Sequence, residues 1–238
     1  MPRLALLDRW PPLAVVLGLS LPSAAAIAAP PVPDTVAQRA LACTACHGRE
    51  DRERQGSHVP RLSGKPEGYL FEQMRNFRDG RRIHQGMARL MEHLDDRYLR
   101  ELAAHFAEQQ PLRPAAQAAA PDAPVRARAE RWLREGDHAL GIPPCTACHG
   151  EALTGVAPDV PGLLGLPAAY VSAQLGAWRQ GLRKARTPDC MARIAQALPM
   201  QDIPALAHTL AAQPLPAAPR AASAAPGPWP MECGSVTR

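Results

Sequence analysis

Cys43-Thr44-Ala45-Cys46-His47 recurs without change as Cys145-Thr146-Ala147-Cys148-His149. Two cysteines three positions apart can form thioethers to both vinyl groups of one porphyrin. The adjoining histidine then meets the iron, so C-x-x-C-H reads as a site of covalent c-type haem attachment. Taken singly, a C-x-x-C pair is also half of a zinc site or a redox dithiol, and the two pairs together could supply a four-cysteine zinc centre. A histidine directly after both pairs, and the repetition of everything around them, favour haem. The expectation is two covalently bound haem c groups. Cys43, Cys46, Cys145 and Cys148 would attach them, with His47 and His149 as proximal iron ligands.

Outward from each motif the chain repeats itself. Pro60-Arg61-Leu62-Ser63-Gly64-Lys65-Pro66 answers Pro161-Gly162-Leu163-Leu164-Gly165-Leu166-Pro167. At the same offset Tyr69, Gln73, Phe77, Arg78 and Gly80 answer Tyr170, Gln174, Trp178, Arg179 and Gly181. Such agreement within one chain indicates duplication of a single unit. Each copy predicts a helix that starts after a proline and stops at a glycine. Tyr69, Leu70, Gln73, Met74 and Phe77 would share a face of the first such helix, and Tyr170, Val171, Gln174, Leu175 and Trp178 a face of the second. Before the motifs, Asp34 is the expected cap of a helix through Val36, Ala37, Ala40 and Leu41. Val125, Ala129, Trp132 and Leu133 define its counterpart, with Gly136 and Gly141 at the exit.

Composition agrees with cofactor-centred units. Four Trp, three Tyr and three Phe in 238 residues are few for filling two cores, and a buried haem supplies the missing apolar bulk. The net charge of +5 is nearly offset by the propionates that two haems would bring, and no basic run carries interleaved aromatics. Nucleic-acid binding is therefore not expected.

Residues 1–28 read as a signal peptide: Arg3 and Arg9, a short apolar run from Leu13 to Leu21, then Ala24-Ala25-Ala26 and Ala26-Ile27-Ala28 as small-residue cleavage sites. Export to the periplasm is the expected location. If uncleaved, the same segment would tether the protein peripherally at the membrane. Pro111-Leu112-Arg113-Pro114 and the Ala-rich run after it read as a linker over 111–124, between domains at 34–110 and 125–213. A second Pro/Ala-rich tract forms a tail over 214–238. The two cysteines outside the motifs, Cys190 and Cys233, make an even count in an exported chain and are expected to form a disulfide.

The sixth iron position needs a second ligand, and a methionine thioether would favour reduced iron. The final helix of the first unit is expected to start at Asp95 or Asp96 and run through Tyr98, Leu99, Leu102 and Phe106. In the second unit Ile203, Leu206, Ala207 and Leu210 carry it. Met87 lies seven residues before Leu94 and Met191 seven before Leu198, in the near-matching segments Met87-Ala88-Arg89-Leu90 and Met191-Ala192-Arg193-Ile194. Met87 and Met191, on loops, are the expected distal ligands. Met74, Met91 and Met200 read as packing residues. His84 or His93 could instead give bis-histidine ligation of the first haem but has no counterpart in the second unit, and Cys190 leaves a thiolate ligand open there.

C-x-x-C-H-G, then P-x-L-x-G, a Tyr-containing helix with Gln, and a Met seven before a final-helix Leu resemble the dihaem cytochrome c4 family of class I c-type cytochromes. The resemblance covers about 34–110 and 125–212. It implies an all-α fold of two tandem class I cytochrome c domains, His/Met ligation of both irons, and electron transfer rather than catalysis. It also implies that the Pro60 and Pro161 carbonyls orient the proximal histidines. The implied partners are redox proteins: a dehydrogenase, a quinol-oxidising complex or a terminal oxidase. A cytochrome subunit of an exported dehydrogenase is the second reading. A dihaem peroxidase or thiosulfate-oxidising enzyme is the third, and it needs a vacant or thiolate-ligated iron.

Overall fold

Thr35, rather than Asp34, starts the first helix: its hydroxyl accepts the Gln38 amide at 3.2 Å. Asp34 instead takes the Arg39 guanidinium at 2.6 Å. The carboxylate is one residue too early to reach the first free amide, so the shorter threonine caps. The computed structural model describes residues 32–48, 58–110 and 119–237. The 1–28 leader and most of the 111–124 linker lie outside them. Asp34–Arg238 forms one compact unit in which both repeats meet.

The first repeat contains α1 (Val36–His47), α2 (Glu67–Arg78), α3 (Gln85–Met91) and α4 (Asp96–Glu108). Asp95 caps α4 by accepting the Tyr98 amide at 2.7 Å. Helical spacing in α4 then puts Leu102, Ala103 and Phe106 against Ala40 of α1 and Leu70 of α2. Leu99, fully buried, joins Phe77 and Met91 in an adjoining cluster. Each such apolar side chain contributes about 1.5–3 kcal/mol on leaving water.

The second repeat contains α5 (Ala123–Arg134), α6 (Cys145–His149), the two-stranded antiparallel hairpin β1 (Gly155–Val156) and β2 (Val160–Pro161), α7 (Ala168–Arg179), α8 (Cys190–Ala197) and α9 (Asp202–Ala212). Helix α9 is the buried centre: Ile203, Leu206, Ala207 and Leu210 meet Ala129, Trp132 and Leu133 of α5 and Tyr170 and Val171 of α7. Its first residue, Asp202, is itself buried but accepts the Trp132 indole N–H at 3.0 Å and pairs with Arg128 at 2.7 Å. A buried carboxylate is tolerated because it is paired.

Two sequence expectations change here. The segments carrying Met87 and Met191 are the short helices α3 and α8, not open loops. His84 caps the first by accepting the Met87 amide, and Asp189 caps the second by accepting the Ala192 amide. The tail is also ordered, although its composition resembles a linker. Ala222 exchanges backbone hydrogen bonds with Gly155 and Ala157 at 2.9 and 2.8 Å, and Leu215 packs on Gly165. Gly234 bonds to the Pro188 carbonyl, and Thr237 to Asp159. Its order comes from the edge of the hairpin, a partner that no local composition reveals.

Cys190 and Cys233 form the expected disulfide, closing a separation of 43 residues. A loop of that length is worth about 4 kcal/mol in the chain-entropy model. The double variant Cys190→Ser/Cys233→Ser is expected to lose much of that stability and to expose 214–237 to protease. Calorimetry and limited proteolysis of the holoprotein check both.

Candidate haem sites

The i, i+3 spacing within α1 carries Cys43 and Cys46 to one side of its last turns, with His47 closing the helix. In the second repeat α6 is nothing but the motif: Pro144 precedes it, and Gly150 follows in the left-handed region at φ 81°. Gly48 after His47 has the same φ. A Cβ at Gly150 would lie 3.0 Å from the Gly155 carbonyl oxygen, so glycine is needed for both the turn and the approach of β1.

Both imidazoles are held alike. His47 Nδ1 lies 2.7 Å from the Pro60 carbonyl oxygen, and His149 Nδ1 lies 2.7 Å from that of Pro161. A carbonyl only accepts, so Nδ1 carries the proton and Nε2 is left with its lone pair. Burial lowers the pKa of both histidines, opposed in part by the proline hydrogen bond, and the Lys65 charge lowers both further. Arg82 and His84 add to that effect at His47. Neutral imidazoles oriented by a second hydrogen bond are metal ligands in waiting. Burial also raises the Cys43 and Cys148 thiol pKa values and pushes Cys145 up to about 12.

In the second repeat Cys145, Cys148, His149 and Met191 line one predominantly apolar cleft. Trp229 and Met231 of the tail form part of its wall, and Lys65 and Tyr69 reach it from the first repeat. Cys190, spent in the disulfide, offers no thiolate. In the first repeat Met87 packs beside Phe77, Met91 and Leu99. Met91 is core and His93 is exposed, while Met200, expected to pack, is 68 % exposed. In the second repeat these donors and this predominantly apolar cleft fit a haem: two thiols, one lone-pair nitrogen and one thioether; the first repeat carries the same donor set.

Three symmetry-related pairs, Tyr69 with Tyr170, Gln73 with Gln174 and Arg82 with Arg183, stand at the centre of the contact between the repeats. The backbones at Arg82 and Arg183 form an antiparallel bridge, with Ile83 N–H on Leu182 O at 2.9 Å and Lys184 N–H on Arg81 O at 2.7 Å. Arg82 donates to Gln73 of its own repeat and to Tyr170 and Gln174 of the other. Arg183 mirrors it, donating to Gln174 and, across the boundary, to Tyr69 and Gln73. Burial and the neighbouring Arg82 lower the Arg183 pKa. The tyrosines and glutamines were legible as repeated; that each faces the opposite arginine was not. Arg78 and Arg179, matched in the repeat, both donate to backbone carbonyls just before the final helix, Arg78 pairing with Asp79 and Asp96 as well. Arg78 holds the Leu94 carbonyl at 3.0 Å, and Arg179 holds the carbonyls of Ala195, Gln196 and Leu198.

No family model matches the chain. Among curated proteins it is 35 % identical over 205 residues to a thiosulfate dehydrogenase electron acceptor of Thiomonas intermedia, covering 86 % of this chain and 93 % of that one. It is 36 % identical over 146 residues to cytochrome c4 of Pseudomonas aeruginosa, covering 61 % and 70 %. The chain belongs to the cytochrome c4 family. Reduced cytochrome c4 from Pseudomonas stutzeri superposes with a TM-score of 0.62 at 27 % identity, over 74 % of this chain and 96 % of that one. The thiosulfate dehydrogenase TsdBA from Marichromatium purpuratum superposes with 0.64 at 31 %, over 74 % of this chain but only 37 % of that one. As a cytochrome c4 the protein has the all-α class I fold, carries two covalent haem c groups and transfers electrons.

The inter-repeat arginines should matter to stability in proportion to burial. Arg183→Met, which removes a buried donor to the Tyr69 hydroxyl and one of the two arginine donors to each glutamine carbonyl, is expected to cost about 2–3 kcal/mol. Arg97→Met, at a side chain 87 % exposed, should stay within about 0.5 kcal/mol. Urea denaturation of both variants checks the ranking.

Proposed function

We propose that His47 and Met87 ligate one haem iron and His149 and Met191 the other, the thioethers being made by Cys43 with Cys46 and by Cys145 with Cys148. The observation that carries this reading is the identical 2.7 Å bond from each imidazole Nδ1 to its proline carbonyl. Matched helices carrying Met87 and Met191 add to it. When bound, each haem supplies a one-electron iron couple. The proline carbonyls hold each imidazole in the tautomer that frees Nε2, and Met87 and Met191 would supply the second ligands, leaving no place for a substrate on the iron. The protein acts as a carrier and not as an enzyme.

The chain works in the periplasm, delivered by its N-terminal leader, and takes electrons from an exported dehydrogenase. Thiosulfate dehydrogenase is the donor that its relative's name suggests. Among the described residues no helix is long and apolar enough to cross a membrane.

Two experiments test these assignments. Optical and magnetic-resonance redox titration of the holoprotein should find two low-spin His/Met haems. Met87→Ala and Met191→Ala should each convert one haem to high spin and lower its midpoint. Mixing the oxidised protein with a thiosulfate dehydrogenase and thiosulfate should reduce both haems, and omitting either component should abolish reduction. Reduction by thiosulfate alone would make the protein an enzyme, and none with the dehydrogenase would assign it another donor.

A further inference from the structure

The two copies of the block after the proximal histidine diverge at one buried position. Lys65 stands where the second repeat has Leu166, and both are 5 % exposed. A lysine at the depth of a core leucine costs desolvation energy, and its charge then acts through a poorly screening interior. The side chain does not serve its own repeat alone. Its ammonium lies 5.8 Å from the centre of the Tyr69 ring, and Lys65 lines the cleft of the second repeat beside Tyr69, Gln73 and Arg183. It also follows by five residues the Pro60 carbonyl that holds His47. The effect of its charge on both proximal imidazoles, described above, agrees with a position between the two sites.

We propose that Lys65 is a potential-setting cation shared by the two haems, raising the reduction potential of the second above all. The inference rests on the ligand assignment proposed above. Ferric iron gains one electron to become ferrous, with no proton or bond exchanged. The oxidised site therefore carries one more positive charge, which a fixed neighbouring cation disfavours. Lys65 makes the environments of the two repeats unequal in a molecule whose ligands are otherwise matched. It is a positioning charge and touches no reacting atom in this role.

The test is spectroelectrochemical titration of three holoprotein variants, each haem being assigned by the resonances of its methionine ligand. Lys65→Leu installs the residue of the other repeat, Lys65→Gln removes the charge while keeping polarity, and Lys65→Arg keeps a charge that cannot be lost. Leu and Gln should both lower the second midpoint, shifting its reduced-to-oxidised ratio at fixed ambient potential by roughly fivefold to tenfold. Lys65→Arg should stay close to the native value. Unchanged midpoints in Leu and Gln would overturn the proposal. So would an Arg variant that falls as far as Leu, which would mark packing, or one that rises by a similar amount, which would mark a native lysine held neutral. Should Leu fail to fold, Gln and Arg decide. Native protein lacking two low-spin His/Met haems would instead sink the ligand assignment beneath it.

Discussion

An imidazole can offer a lone pair to a metal only if its remaining proton is held on the other nitrogen, and holding it there is what the loop after each haem motif does. Pro60 and Pro161 are natural residues for that position. Proline has a carbonyl to accept with but no N–H of its own to satisfy, so the loop can present an acceptor without leaving a buried donor unpaired. Both bonds measure 2.7 Å. The helix that presents the histidine, the left-handed glycine after it and the α2 or α7 helix beyond the proline all follow from keeping this contact in place.

Duplication then adds a second constraint. Two small units short of aromatic residues must also recognise one another, and they do so with copies of the same residues. Tyr69, Gln73 and Arg82 face Tyr170, Gln174 and Arg183, each arginine reaching across to the other repeat. Two guanidiniums so close repel, and burial makes it worse. The hydroxyls and amide carbonyls around them satisfy their donors without neutralising them. The boundary between the repeats is thus polar and positively charged, flanked by the two sites that receive haem.

The repeats are not equivalent, and the differences collect around the second site. Its motif helix is reduced to five residues, and a short hairpin follows it. A tail with the composition of a linker is drawn over it by the Ala222 bridge and the Cys190–Cys233 bond. Lys65 enters the same cleft from the first repeat. Substitutions on a duplicated frame can separate the properties of two cofactors while leaving their ligands alike.

From the sequence alone came what depends on local spacing. The haem motifs, the matched prolines, tyrosines and glutamines, the α4 and α9 cores and the cap at Asp95 are all set by residues within a turn or two of each other. The pairing of Cys190 with Cys233 was also legible, because no other two cysteines were free. Caps depend on reach, so Thr35 takes the place that spacing alone gives to Asp34, and Met87 and Met191 sit in short helices where loops are expected. What only tertiary structure decided was every contact between distant segments: the crossed arginines, the tail on the hairpin edge, Arg78 and Arg179 turned to backbone carbonyls, and Lys65 projecting into its neighbour's cleft. The physical reason is that a side chain's partner within a helix is given by periodicity, whereas its partner across a fold depends on where the whole chain has carried the other surface.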